Sequence, residues 1–349
     1  MKKNTFLFII AVVLCNIQSS FAQGIINHYS FYSNSIGGNM HYNVYLPPSY
    51  EENPSSLYPV LYLFHGLGGR YYDWANNAHA ADTLNKEIAN GAKEMLVIMP
   101  DGLDSWYIDN GKQWESYMYN ELIPTVQDSF RVGNNNQSRA VAGLSMGGWG
   151  TTYYWIKYGA DMYSSAYCMS GALGVREGID LEAMINDLTT EEKQALPPYT
   201  MEIGTEDHLY NVNVDWHDFL STNEIEHTYI ERPGVHDWLF WTECLPKTIR
   251  FASDNFGEVF VSTQQLNTYE QSVSVFPNPA NDYVTFDLLN AEGYSVQYNI
   301  YSVTGQLIKS GTVSAGTMHK LDISEFESGL YVVNINNDNR QSNFKLMVN

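Results

Sequence analysis

Cysteine is scarce: there are three in 349 residues, and Cys15 lies in an N-terminal apolar run. Cys168 and Cys244 cannot make a disulfide framework, and a core of this size needs no single staple, so two buried thiols are expected. Positive charge is scarce too. Eighteen Lys and Arg face 39 Asp and Glu, a net charge of −21, and that surface repels nucleic acid and anionic membranes. After the N-terminal run no apolar stretch approaches the roughly 18 residues that a bilayer crossing needs, so no transmembrane segment is expected. His, Cys and carboxylates do not recur at zinc-site spacings, so no metal and no cofactor is expected.

The N-terminus has three parts. Met1-Lys2-Lys3-Asn4 is charged, Thr5 to Leu14 is apolar, and Ser20-Phe21-Ala22 places small residues where a processing enzyme needs them. That is the pattern of a secretory signal peptide over residues 1–22, cut between Ala22 and Gln23. Lipidation at Cys15 is disfavoured by bulky Leu14. Loss of Lys2 and Lys3 takes the net charge to −23. The mature chain is expected outside the cytoplasm, either secreted or on the cell surface. It is rich in aromatics, with 26 Tyr and 8 Trp. Strands and core edges favour such rings, and stacking surfaces for sugars are the alternative reading.

Strand and helix signals alternate from residue 23 to Phe256, which predicts an α/β domain with a mostly parallel sheet. Phe31 to Ser35 and Met40 to Leu46 form a hairpin around Ile36-Gly37-Gly38-Asn39. Further strands are expected at Tyr58 to Phe64, Met95 to Met99, Ala140 to Ala142, Tyr163 to Met169, Thr200 to Ile203 and Glu226 to Glu231. Helices are expected at Asp73 to Asn90, Ser116 to Phe130, Gly148 to Tyr158 and near Leu181 to Leu188. Residues 257–271 are polar and aperiodic and read as a linker. From 272 to 349 short alternating strands with turn residues, Thr304-Gly305 and Asn336-Asn337 among them, predict a small antiparallel β-sandwich.

In a parallel sheet the chemistry sits at the carboxyl ends of strands. Gly143-Leu144-Ser145-Met146-Gly147 follows one such strand and precedes a helix. A serine on so sharp a turn needs glycine two residues to either side, because side chains there would collide. Serine is a poor nucleophile near neutral pH, so a histidine must take its proton and a carboxylate must hold that imidazole. Asp207 and His236 follow the next strands and supply both, in the order Ser145, Asp207, His236. Glu206 is the nearest rival for the acid, with Asp215 and Asp237 less well placed. His65 and the other histidines, His208 among them, have structural readings. The turn His65-Gly66-Leu67-Gly68-Gly69 can aim the N–H of Leu67 at an oxyanion, with that of Met146 as second donor. Gly66 and Trp106 are the candidate substrate-binding residues, and the excursion from Gly171 to Pro198 is the candidate pocket wall.

Together Val44 to Pro48, Tyr58 to Gly69, Glu121 to Pro124, Gly143 to Gly148, Gly204 to Asp207 and Gly234 to Trp238 resemble the esterase D or antigen 85 family of α/β-hydrolases. Within it the similarity is to the feruloyl and acetylxylan esterases of carbohydrate esterase family 1. The resemblance implies Ser145 as nucleophile, His236 as base, Asp207 as acid and Leu67 and Met146 as oxyanion donors, acting on acylated polysaccharide or oligosaccharide without a cofactor. S-formylglutathione hydrolases share the motifs, but a signal peptide argues against that cytosolic role. Alternatives are a short-chain acyl or lipid esterase, an acyltransferase, or a non-catalytic carbohydrate-binding protein on the same scaffold. Phe276 to Ala280, Tyr301 to Gly305, Gly329 to Val333 and Phe344 to Leu346 resemble the C-terminal sorting domain of the type IX secretion system, which implies that machinery as a partner. A carbohydrate-binding sandwich is the alternative.

Overall fold

The computed structural model describes residues 23–259, 274–276, 280–288, 295–302, 306–314, 316–337 and 340–348. The expected signal peptide, the linker beyond residue 259 and the turn at Thr304-Gly305 lie outside the described residues. Strands β1 (Ile25–Ser33) and β2 (Gly38–Leu46) form the expected hairpin. β3 (Val60–Phe64), β4 (Leu96–Pro100), β5 (Arg139–Leu144), β6 (Ser165–Met169), β7 (Tyr199–Gly204) and β8 (Thr228–Arg232) complete an eight-stranded sheet of order β1-β2-β4-β3-β5-β6-β7-β8. From β4 to β8 all pairings are parallel, whereas β1 and β2 add antiparallel.

The central strands are unbroken apolar runs because both faces are covered. Along β3, Val60, Tyr62 and Phe64 join one hydrophobic cluster while Leu61 and Leu63 join the other. Helices α1 (Asp73–Asn77) and α2 (Ala80–Ala89) pack on the second face. The first face takes α3 (Trp114–Ser116), a π-helix at Tyr117–Leu122, α4 (Ile123–Ser129), α5 (Met146–Met162) and α6 (Leu181–Asp187). α7 (Thr190–Ala195) contributes no buried side chain, and α8 (Tyr210–Thr222) packs Trp216 and Leu220 on the first face. α9 (Trp238–Asn255) returns to the second. The single helix expected over Asp73 to Asn90 is two helices, because His79 sits in the left-handed region at φ 46°.

Cys168 on β6 and Cys244 on α9 are both buried and free, and burial pushes the Cys168 thiol up to about 11. Beside Cys244 a buried ionic cluster ties the loops near the site. Glu202 on β7 is fully buried. It accepts hydrogen bonds from Arg232 Nε at 2.5 Å, Lys247 Nζ at 2.5 Å and Tyr167 Oη at 2.6 Å. Arg232 also donates to the Phe240 carbonyl at 2.8 Å and to Glu243 at 2.7 Å. The loop between β8 and α9 is thereby anchored at both ends. Burial raises the Glu202 carboxyl, but the bonds from Lys247, Tyr167 and Arg232 outweigh it and hold the group below its ordinary range. Its stabilising contribution is therefore present above the unfolded value of about 4.3 and is lost as pH falls through the lower folded value. Glu202→Gln is expected to cost about 3 kcal/mol in urea titrations at pH 7, since two cations lose their buried partner, although Arg232 keeps Glu243 and half-exposed Lys247 can rehydrate. The same titrations below pH 4 should show a smaller difference between variant and parent.

The C-terminal part has two antiparallel sheets. One is β9 (Ser274–Phe276), β10 (Tyr283–Asp287) and β13 (Met318–Asp322); the other is β11 (Ser295–Ser302), β12 (Leu307–Ser314), β14 (Gly329–Asn337) and β15 (Arg340–Val348). Val284, Phe286, Val296, Ile300, Val333 and Leu346 from both sheets share one buried cluster, as a small sandwich requires. The turn expected at Asn336-Asn337 is not there. Both residues continue β14 and pair with Gln341 and Arg340 of β15, because the ladder satisfies their backbone groups two residues further than the polar side chains suggest.

Candidate active site

Strand order reverses between β3 and β5, and their carboxyl ends open the crevice where such sheets bind ligands. Ser145 stands there, immediately after β5, with φ 54° and ψ −113°. That conformation is costly for a residue with a side chain and persists only where the surroundings over-determine it. The flanking glycines show how tight the turn is. A Cβ on Gly143 would lie 2.4 Å from the Gly147 carbonyl oxygen, and one on Gly147 would lie 2.6 Å from that of His65. Backbone cannot yield as a flexible side chain can. Gly143→Ala is therefore expected to lower stability by about 1–3 kcal/mol, read as a fall in thermal midpoint.

The partners arrive from the loops after β7 and β8. His236 Nε2 lies 2.9 Å from Ser145 Oγ, and His236 Nδ1 lies 2.9 and 3.1 Å from the two oxygens of Asp207. A carboxylate can only accept, so Nδ1 carries the proton and Nε2 is left to accept from the serine hydroxyl. Asp207 is 4% exposed and also accepts from the Leu209 N–H at 2.8 Å. Burial pushes its carboxyl up, yet the bonds from His236 and Leu209 prevail and hold it below the usual range. Glu206, the rival acid, points elsewhere: it accepts the Gly234 N–H at 2.6 Å and stitches the loops after β7 and β8 together. Asp237 caps α9 by accepting from the Phe240 N–H, and Asp215 lies on α8.

The glycine turn after β3 faces the serine. A Cβ on Gly66 would come within 2.7 Å of Leu144 Cδ1, which would have to turn aside, and 3.4 Å of the Ser145 Cβ, so this loop runs in contact with the serine turn. His65 is fully inside and structural, as expected. The Gly102 N–H donates to its Nε2 at 2.8 Å, which assigns the ring proton to Nδ1, donating to the Gly66 carbonyl at 2.7 Å. The N–H groups of Gly68 and Gly69 go to Asp104 and to the Gly66 carbonyl, while no partner among the described residues takes that of Leu67. Met146 is the first residue of α5. Its N–H precedes the first helical bond, from Trp149 to the Ser145 carbonyl, and the Ser145 N–H is spent on Met169.

Trp106 is half-buried in a loop where Leu103, Trp106 and Tyr107 all have positive φ. It meets Trp149 edge-on at 6.0 Å, and the Arg176 guanidinium lies over its ring at 4.8 Å. Arg176 comes from the excursion after β6, so this wall does reach the Trp106 loop. One neighbour goes beyond the sequence reading. His208 packs its ring edge-on against His236 at 4.5 Å and brings Nδ1 to 3.6 Å from Asp207. Its only sequence signal is adjacency to Asp207.

Both parts of the chain resemble known proteins. The esterase family model matches residues 33–252, more than half of the chain, and the model of the secretion system C-terminal sorting domain matches residues 274–349. An acetyl esterase of Caldicellulosiruptor saccharolyticus is 27% identical over 226 residues, covering 56% of this chain and 83% of that protein. An endo-1,4-beta-xylanase/feruloyl esterase of Xylanibacter ruminicola is 28% identical over 234 residues, covering 64% of this chain, which spans only 31% of the length of that relative. A solved ferulic acid esterase superposes with a TM-score of 0.63 at 26% identity, covering 67% of this chain and 99% of its own. The C-terminal region is a secretion sorting domain, and no helix among the described residues is long and apolar enough to cross a membrane. The chain belongs to the esterase family and is a carboxylic ester hydrolase.

Proposed function

We propose that the protein is an exported serine esterase that removes feruloyl or acetyl groups from plant cell-wall polysaccharide through an acyl-enzyme on Ser145. The observation that carries this reading is the unbroken line of hydrogen bonds from Ser145 through His236 to Asp207. Ser145 Oγ attacks the ester carbonyl while His236 Nε2 takes its proton, and Asp207 stabilises the imidazolium. The N–H groups of Leu67 and Met146 receive the charge on the carbonyl oxygen. His236 then gives the proton to the departing alcohol, leaving an ester on Ser145. Water attacks that ester with His236 again as base, and the free acid leaves. These residues need no metal for any step.

Two relatives named for acetyl and feruloyl ester hydrolysis support the substrate class. Trp106, part-buried beside Trp149 and Arg176, is the candidate ring for a phenolic or sugar group. Gly66 keeps the approach to Ser145 clear. The family also admits short-chain acyl esters, lipid esters and acyl transfer. A side-by-side assay of the full chain with methyl ferulate, acetylated xylan and long-chain acyl esters separates these. Turnover of either of the first two is the expected result, and turnover of long-chain esters alone would reject the polysaccharide reading.

We propose further that the signal peptide, residues 1–22, and the sorting domain, residues 272–349, joined to the esterase domain by the linker 257–271, carry the protein through the type IX secretion machinery to the surface or medium. Deletion of 272–349 should retain the protein inside the cell envelope. Normal export with lost polysaccharide binding would instead favour a carbohydrate-binding sandwich.

A further inference from the structure

His208 is not needed by the reaction just described, yet it completes a set of three metal-ligand side chains. Donor atoms of Asp207, His208 and His236 all lie within 4.8 Å of one another. Two edges of that triangle are 3.1 Å, from His236 Nδ1 to Asp207 Oδ1, and 3.6 Å, from His208 Nδ1 to the same oxygen. Zinc bound to N and O ligands at its ordinary distances separates them by about 3.3 Å in a tetrahedron. These two edges bracket that value, and the third, between the two imidazoles, is at most 4.8 Å and shortens as His208 turns. The third ligand is also free to adjust, since the His208 side chain is 69% exposed while that of Asp207 is fully buried. A buried carboxylate, a mostly buried imidazole and an exposed imidazole make a site that can close on an ion by rotation of the His208 side chain.

We propose that this cluster binds zinc and that binding switches the esterase off. The chemistry of the switch is a proton relocation. In the active form the His236 proton is on Nδ1 and Nε2 accepts from Ser145. Zinc takes Nδ1, Asp207 and His208, with water in the fourth position, and the displaced proton moves through solvent to Nε2. The count of protons is unchanged, but Nε2 is now a donor and cannot receive the serine proton. Asp207 is lost as well, because its negative charge is spent on the ion.

Two other histidine pairs are close enough to share an ion. His217 Nδ1 lies 2.7 Å from His227 Nε2, and His28 Nε2 lies 3.0 Å from His41 Nδ1. Each offers two donors only among the described residues, and neither pair includes Ser145, Asp207 or His236, so zinc held there does not take the proton acceptor of the reaction. The loss of rate belongs to His208.

The inhibition rests on His236 being the base, whereas zinc occupancy does not, so the test reads both. Zinc is titrated into the full chain during hydrolysis of 4-nitrophenyl acetate, with each variant compared with its own zinc-free rate. The parent should be inhibited and recover on adding EDTA. His208→Ala and His208→Phe, the latter keeping a ring against His236, should each need at least about tenfold more zinc for half inhibition. In parallel, zinc binding to Ser145→Ala is followed by competition with a coloured chelator, and Ser145→Ala/His208→Ala should bind one ion fewer. Equal zinc sensitivity with and without His208, or equal stoichiometry in the two binding proteins, would overturn the site. Loss of one ion without inhibition of the parent would overturn the switch. Undiminished zinc-free hydrolysis by Ser145→Ala would instead show that the serine mechanism itself is wrong.

Discussion

Replacing Ser145 with alanine is expected to lower kcat/KM for 4-nitrophenyl acetate by at least about 10⁴-fold, with the residual rate coming from the oxyanion donors and binding alone. The expectation is large because nothing else can take over. Ser145 is held in a conformation that points its hydroxyl at His236, and the neighbouring Gly143, Gly147 and Gly66 have no side chain to offer. Alanine fits the same turn with one atom fewer, so the thermal midpoint should stay near that of the parent. A loss of rate with no loss of fold distinguishes a nucleophile from a structural serine.

Asp207→Asn should cost about 10⁴-fold, nearly as much, through a different route. The amide is almost the same shape as the carboxylate, but it has N–H donors. An amide that turns a donor towards His236 Nδ1 forces the ring proton to Nε2, where it blocks acceptance from Ser145. The imidazolium formed during attack also loses its counter-charge. Glu206→Gln is the matched control, one residue away. Its carboxylate holds the Gly234 N–H rather than the histidine, so the rate should stay within a factor of about 10. If the two variants lose activity equally, the acid is wrongly assigned.

Much of this was legible in the chain before any coordinates, and the reasons are physical. Buried parallel strands are apolar on both faces, so β3, β4 and β5 stand out as short runs of Leu, Val, Ile and Ala. Glycine two residues either side of a serine reports a backbone approach that excludes a Cβ, and both predicted collisions are there. Asp207 and His236 could be picked because each follows a strand, β7 or β8, that runs parallel to β5, so all three carboxyl ends open on the same edge of the sheet. Other features have no local signal. The break at His79 is a left-handed residue inside an otherwise helical pattern, and the π-helix at Tyr117–Leu122 comes from packing. α9 is hard to see because Pro246, a residue that usually ends a helix, falls inside it, although Phe240, Cys244, Thr248 and Ala252 keep helical spacing across it. Asn336 and Asn337 look like a turn because the polar residues common in turns also occur at the ends of strands. Glu202 reads as an ordinary strand carboxylate, since its three donors come from positions 30 to 45 residues away. His208 gives no hint in sequence that its ring faces His236.

The central claim is that Ser145 carries the acyl group, and the most direct measurement is where an ester-like electrophile attaches. The full chain is treated with a phosphonate ester that phosphonylates activated serines, and the modified residue is located by peptide mass spectrometry. A single adduct on Ser145, absent from Ser145→Ala and greatly slowed in His236→Ala, is the predicted result. An adduct on another serine, or hydrolysis of 4-nitrophenyl acetate that continues unchanged once Ser145 is fully modified, would contradict it.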